Sequence, residues 1–273
     1  MKALIRTLAL LLVTQVHAEP LVLVDSMGLL KAPVQTHPEA DMLRQILAIY
    51  PDTVQVENIS RNRAREWIQQ HGNACIPYLK KTPTREKSYL FTVPYMAEAA
   101  LQLIVSADSP WTAKLDLMQR VKPEISLREL LQLKKSPLIG IEINRSYGVE
   151  IDALLQEHQK HPSLYMRTSS SESVGSLLPM LEKQFIDMVI EYPKIADRSS
   201  QQLKHYPLQE AEAISLVYFA CSKGSRGELV VNSLNDVLRT LSQQPAYLDI
   251  MRTGFTESQR DSAIAYWQES IKP

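Results

Sequence analysis

Short aliphatic runs alternate with helix-length amphipathic segments in two separate stretches of this chain, and that alternation constrains its fold more than any other feature. Leu21–Val24 is a strand-length aliphatic run. Residues 40–49 follow, with Met42, Leu43, Ile46, Leu47 and Ile49 recurring at a helical period. A second short strand is expected over 53–56. A helix is expected over Arg61–Gln70, with Ala64, Trp67 and Ile68 on one face and Gly72 just beyond its end. A third strand is expected over Ala74–Leu79. The order then recurs: strand 138–143, helix 149–158, strand 164–167, helix 173–183, strand 186–190. Strands alternating with helices make βαβ units with parallel pairing. Apolar runs at 101–105 and 214–220 lie between and after the two units, and helices at 230–241 and 257–267 close the chain. Residues 168–173 read as a polar loop. Two connections imply that the first domain is discontinuous.

The first residues have the order of a secretory signal peptide. Lys2 and Arg6 supply positive charge, residues 8–13 an apolar run, and Val16-His17-Ala18 the small or medium residues before a cut ahead of Glu19. The apolar run is far short of the roughly 20 residues a membrane-spanning helix needs. No Cys stands at the cut site for a lipid anchor. The chain is therefore expected to be exported and soluble once residues 1–18 are removed. Removing Lys2 and Arg6 from 30 basic residues leaves 28 against 30 acidic ones, and there is no basic block. Nucleic acid is excluded as a general partner.

Cys75 and Cys221 are the two cysteines of the chain, and an oxidising compartment leaves two readings, one disulfide or two buried thiols. No Cys or His spacing suits a metal, and no cofactor is expected. There is no HExxH, no GxSxG and no phosphate-binding glycine loop, and 8 glycines leave little material for one. The chain is not expected to be an enzyme.

Residues 81–95 read KTPTREKSYLFTVPY. This resembles the first-lobe signature of type II periplasmic solute-binding proteins, in particular the polar amino-acid binders. In that family a Thr precedes an Arg by three residues and an F-S/T-x-P-Y/F motif follows, here Thr82, Arg85 and Phe91-Thr92-Val93-Pro94-Tyr95. The stretch IGIEINRSYGVEID, residues 139–152, is similar to the opening of the second lobe. IDMVIEYP, residues 186–193, is similar to its acid-bearing strand, and SLVYFACSKG, residues 215–224, to the second hinge. Two features depart from the pattern. Asp25-Ser26-Met27-Gly28 stands where the family usually has an aromatic motif, and Lys80 stands where it has a small hydrophilic residue.

The resemblance implies an α/β fold of two Rossmann-like lobes with a ligand cleft, joined by two hinge crossovers. Lobe one is expected over residues 19–104 plus 218–273 and lobe two over 105–217. It implies a periplasmic protein that clamps a small polar, amino-acid-like ligand and passes it to an inner-membrane transporter, or reports it to a membrane receptor. It also implies that Cys75, in strand three, neighbours Cys221, in the return strand, which favours the disulfide.

The candidate ligand-binding residues are Arg85, Glu191, Ser146, Tyr147, Thr82 and Tyr95. Arg85 offers a rigid fork of donors that matches a carboxylate; its plainer reading is a surface pair with Glu86. Glu191 ends an aliphatic strand where α/β sheets bind ligands, or is a solvated strand-end acid. Ser146 and Tyr147 precede a helix, whose N-terminus attracts anions, or Ser146 caps it. Tyr95 either lines the cleft or packs near the hinge. N-terminal sequencing of the protein recovered from a periplasmic extract is expected to begin at Glu19; a full-length N-terminus in the membrane fraction would overturn the export reading.

Overall fold

The computed structural model describes residues 19–34, 37–168, 177–197 and 199–272. The signal-peptide segment and most of the polar loop expected at 168–173 lie outside these residues. Two sheets form. One holds β1 (Leu21–Val24), β2 (Val54–Glu57), β3 (Ala74–Leu79), β4 (Leu90–Phe91), β5 (Met96–Ala99) and the late strand β11 (Ile214–Cys221). The other holds β6 (Gln102–Ser106), β7 (Ile139–Ile143), β8 (Leu164–Thr168), β9 (Met188–Glu191) and β10 (Leu203–Pro207). The helices of the first unit are α1 (Pro38–Ala48), α2 (Arg61–Gln70) and α3 (Pro83–Glu86). Those of the second are α4 (Thr112–Val121), α5 (Leu127–Leu131), α6 (Val149–Glu157), α7 (Leu178–Glu182) and α8 (Pro193–Ala196). The chain closes with α9 (Ser225–Leu241), α10 (Pro245–Arg252) and α11 (Arg260–Ile271).

The first sheet runs β2-β1-β3-β11-β4, and the second β10-β6-β9-β7-β8. In each, the βαβ strands are parallel, β1 to β2 and β3, and β7 to β8 and β9. Each sheet then takes on antiparallel strands, β11 against β3 and β6 against β9. The chain crosses from the first sheet to the second between β5 and β6, and returns between β10 and β11. The lobe boundaries expected at 104 and 217 fall inside β6 and β11, because each strand pairs along its length with its own sheet rather than dividing at the crossover.

The inner strands β1, β3, β7 and β9 are covered on both faces, which is why they read as largely apolar runs. In β1, Leu21 and Leu23 point into a core built with Met42, Leu43 and Ile46 of α1 and Val230, Leu234 and Leu238 of α9. Val22 and Val24 point the other way, toward Ala64 and Ile68 of α2. The period of two repeats in the second sheet: Leu103 and Val105 face Leu130, Ile151 and Leu154, while Ile104 faces Leu178 and Leu181.

The expected cysteine bridge forms. Cys75 and Cys221 stand opposite one another on antiparallel β3 and β11 and are joined as a disulfide. It closes a loop spanning 146 residues of sequence. The second sheet lies wholly inside that loop. Replacing both cysteines by Ser is expected to lower the unfolding free energy by about 2–4 kcal/mol, with about 5 kcal/mol as the chain-entropy ceiling. Denaturant titration of the variant against the oxidised protein measures this, and thiol labelling of the denatured, unreduced protein is expected to find no free thiol.

Candidate functional site

The carboxyl ends of the parallel strands in both sheets meet at one cavity of about 100 Å³. The first sheet's side supplies Ser26, Met27, Arg61, Arg65, Tyr78, Lys80, Arg85 and Glu98, and the second supplies Arg145, Ser146, Tyr192 and Ile195. This is where an open α/β sheet presents loops rather than strands to a ligand. A wider groove of about 500 Å³ adjoins it and shares Lys80 and Ser146; Thr82, Glu212 and Tyr266 line that groove.

The end of β3 sets the first wall. Tyr78 has φ 64, the left-handed region that a bulky side chain rarely adopts. The turn coincides with a register shift in the β3–β11 ladder between Tyr218 and Ala220. Beyond it, the Lys80 carbonyl accepts a hydrogen bond from Arg85 Nη1 at 2.8 Å. The Thr82 hydroxyl accepts from the Arg85 backbone N–H at 3.3 Å and caps α3. Thr82 thus positions the short helix that carries Arg85 rather than lining the smaller cavity. No ion pair to an acid is formed by Arg85 among the described residues; the Lys81–Glu86 pair sits beside it at 3.1 Å. Burial, and then Arg65 and Arg61 nearby, pull the Arg85 pKa down to about 10.

Arg61 and Arg65 are one helical turn apart and so share a face of α2. Burial lowers both pKa values, Arg145 lowering Arg61 further and Arg61 lowering Arg65. Arg65 donates through Nη2 to the carbonyl of Asn144 in the second unit, and its buried Nε has no partner. Arg61 lies 3.7 Å from Glu142 across the cleft.

Glu191, expected to face the ligand, sits at the end of β9 only 3% exposed and outside the cavity lining. Arg145 grips it in a bidentate pair, Nη1 to Oε2 at 2.7 Å and Nη2 to Oε1 at 2.6 Å, and the Tyr192 N–H donates to Oε1 at 2.9 Å. The Arg145 guanidinium lies over the rings of Tyr147 and Tyr192, 4.9 and 5.7 Å from their centroids. Burial alone would lower the Arg145 pKa, but the Glu191 carboxylate outweighs it and raises it.

The start of α6 is occupied by the chain's own carboxylate. Asp152 accepts from the Ser146 hydroxyl at 2.5 Å and from the Tyr147 N–H at 2.7 Å. Ser146 lines the cavity; Tyr147 is a core residue whose hydroxyl accepts from the Glu142 N–H at 2.8 Å. Tyr95 is also buried core, its ring tilted against that of Phe219, with its carbonyl accepting from the Tyr247 hydroxyl at 2.5 Å. Of the six expected residues, the fold brings Arg85 and Ser146 to the smaller cavity and Thr82 to the adjoining groove. Glu191, Tyr147 and Tyr95 stand behind these walls.

Arg61, Arg65, Lys80, Glu98 and Arg145 line the cavity without having been singled out as ligand contacts. The Arg61/Arg65 spacing after β2, and the position of Arg145 in the loop after β7, were signals available in the sequence. Lys80 donates to the Ser215 hydroxyl at 2.7 Å and lies 3.6 Å from Glu212, tying the end of β3 to the return crossover. Burial lowers its pKa despite Glu212. Glu98 is pushed up to about 7 by burial, against a hydrogen bond with Tyr192 and the charge of Lys80; Glu39 adds to the rise, Arg145 opposes it.

A carboxyl raised in the folded state binds its proton more tightly there than in the unfolded chain. Its stabilising contribution is complete below pH 4.5, the ordinary value, and is lost as the pH rises through about 7. Glu98→Gln is therefore expected to flatten the fall in stability between these two pH values, read from melting temperature against pH; an unchanged slope would show that Glu98 does not titrate there.

No protein-family model and no curated protein matches the chain. Solved structures do. An amino acid ABC transporter substrate-binding protein from Streptococcus pneumoniae, bound to L-arginine, superposes with a TM-score of 0.61 at 15% identity, over 86% of this chain and 93% of that one. The arginine-, lysine-, histidine-binding protein ArtJ from Geobacillus stearothermophilus gives 0.62 at 16%, over 89% and 98%. A putative L-cystine ABC transporter from Listeria monocytogenes gives 0.62 at 12%, over 88% and 96%. The chain has the two-lobed α/β fold of the substrate-binding proteins of amino-acid ABC transporters.

Proposed function

We propose that the protein is a periplasmic solute-binding protein that clamps a small amino-acid-like molecule between two lobes and delivers it to a membrane transporter. Lobe one comprises the first sheet with its helices and the C-terminal helices, and lobe two the second sheet. The observation that carries this reading is Arg85. It is a cavity-lining guanidinium fixed at one end by the Lys80 carbonyl and paired with no acid among the described residues. A bidentate carboxylate is its natural partner.

The opposite charge is supplied by Glu39 and Glu98, which line the same cavity. Glu191 is committed to Arg145, so Glu98 with Glu39 is the better acceptor for a ligand ammonium. The structural neighbours support the reading through the ligands their names give, L-arginine among them. One neighbour is an ancestral amino acid-binding protein described as a precursor of cyclohexadienyl dehydratase. We assign binding rather than turnover to this chain, because its cavity charges are arranged as a clamp. No described helix is long and apolar enough to cross a membrane, which fits export.

A thermal-shift survey against amino acids and small carboxylates is expected to find a stabilising ligand, since a molecule that binds only the folded state raises the melting temperature. Arg85→Ala is expected to weaken that ligand by roughly 10- to 100-fold, the effect of about 1.5–3 kcal/mol for a hydrogen bond to a charged group. Arg85→Lys should fall between. Wild-type affinity in a folded Arg85→Ala protein, by calorimetry, would remove Arg85 from the site.

A further inference from the structure

The cavity holds more fixed cation than a simple amino acid requires. Its cations are Arg61, Arg65, Lys80, Arg85 and Arg145. Three have acids of their own: Arg145 holds Glu191 at 2.6 Å, Lys80 lies 3.6 Å from Glu212, and Arg61 lies 3.7 Å from Glu142. Arg65 and Arg85 form no ion pair among the described residues. Both are oriented by backbone carbonyls instead, Arg65 by Asn144 and Arg85 by Lys80. Backbone carbonyls hold a guanidinium in place without neutralising it. Buried charges are normally paired, and Arg65 Nε, buried and without a hydrogen-bond partner, is a donor still to be satisfied.

Arg65 and Arg61 both lower the Arg85 pKa, and Arg61 lowers that of Arg65, so these three guanidiniums of the cavity repel one another. Glu39 and Glu98 line the same cavity, and Lys80 and Arg145 act on Glu98. One carboxylate placed on Arg85 leaves Arg65 unanswered, whereas two acidic groups answer both. A cationic ligand side chain placed beside Arg85 meets the charges of Arg61 and Arg65 as well.

We propose that the ligand carries two acidic groups, one taken by Arg85 and the other by Arg65 with Arg61, as in an acidic amino acid or a small dicarboxylate. This rests on the binding-protein reading above and narrows it. It sets the chain apart from the neighbours whose names give basic amino acids as ligands, because the arginines of α2 repel what those proteins bind.

The test is calorimetric titration of the mature protein with L-aspartate, L-glutamate, glutarate and O-phospho-L-serine, each against L-asparagine, L-glutamine and L-arginine. At least one of the four probes with two acidic groups is expected to bind ten times or more tighter than L-glutamine, with L-arginine weakest. Glutarate binding as well as L-glutamate would place the affinity in the two acids rather than the amine. Preference for O-phospho-L-serine would identify a phosphate as the second acid. Arg65→Gln, with its ligand-free melting curve shown to be cooperative, is expected to cut L-glutamate affinity at least tenfold and leave L-glutamine within about twofold. Arg61→Gln is the second variant should Arg65→Gln fail to fold. Tighter binding of L-glutamine or L-arginine than of every probe with two acidic groups overturns the inference and leaves the binding-protein reading standing. Binding of none of the seven also overturns it, and the wider thermal-shift survey then decides the broader reading separately.

Discussion

The return of β11 into the first sheet is the constraint on which the rest of the molecule depends. By the time the chain reaches Ile214 it has built the whole second sheet, and β11 must then find an antiparallel register beside β3. Loop closure over so many residues is entropically costly. Several contacts offset that cost at once. Cys221 meets Cys75 directly, and the Phe219 N–H donates to the Thr92 hydroxyl while its carbonyl accepts from the Thr92 N–H. The C-terminal helices then seal the strand. Trp267 donates to the Pro94 carbonyl and Tyr247 to that of Tyr95, and Val93 N–H donates to Asn235. The Phe91-Thr92-Val93-Pro94-Tyr95 segment is thus a structural clamp at the hinge. Its hydrogen bonds run to β11 and the closing helices, not toward the cavity.

That clamp fixes where the charges can lie. With β3 pinned by β11, the left-handed turn at Tyr78 leads the chain to Lys80 and Arg85, which line the same cavity as Arg61 and Arg65 of α2. Desolvation raises the free energy of every unpaired charge placed there. The chain answers in two ways. In the second unit it neutralises internally: Arg145 with Glu191, and Asp152 folded back on Ser146 and Tyr147. In the first unit it leaves Arg65 and Arg85 oriented but not neutralised. The difference gives the two walls different work, the second shaping the cavity and the first carrying its charge.

The βαβ elements were legible because they follow from hydrophobic periodicity. β1, α2 and β3 fall on the residues where the aliphatic and amphipathic runs lie. The strand at 186–190 appears as Met188–Glu191, since Ile186 packs beneath the sheet instead of joining it. β5 and β10 were not legible. Met96–Ala99 carries Glu98 in its middle, and Leu203–Pro207 carries Lys204 and His205, so neither reads as an apolar run. Both exist because partners in the other strands supply their pairing. The place of Arg85 on the cavity wall was legible from its motif. The part played by Glu191 was not, because a strand-end carboxylate looks the same whether it faces a ligand or an arginine 46 residues away in sequence. What decides between them is Arg145, placed by the turn at Asn144, φ 68, that follows β7.

The contacts joining the two units across the cavity are few and polar. Arg65 reaches the Asn144 carbonyl, and Arg61 approaches Glu142 without closing to hydrogen-bond distance. Contacts of this kind contribute little net free energy, about 0–1 kcal/mol for a partly solvated ion pair. They stand against the cost of drawing Arg65 and Arg85 together out of water. An arrangement balanced so closely responds to any molecule that differs in affinity between the open and closed forms, and only to the extent of that difference. An anion bound to Arg85 alone is met by one wall and gains little from closure. Seating a second acidic group beside Arg65 relieves the repulsion between the two guanidiniums, and it does so where Arg65 touches the opposite unit. On the proposed binding mode, the same two residues that carry unpaired charge into the cavity would also set how strongly a ligand draws its walls together.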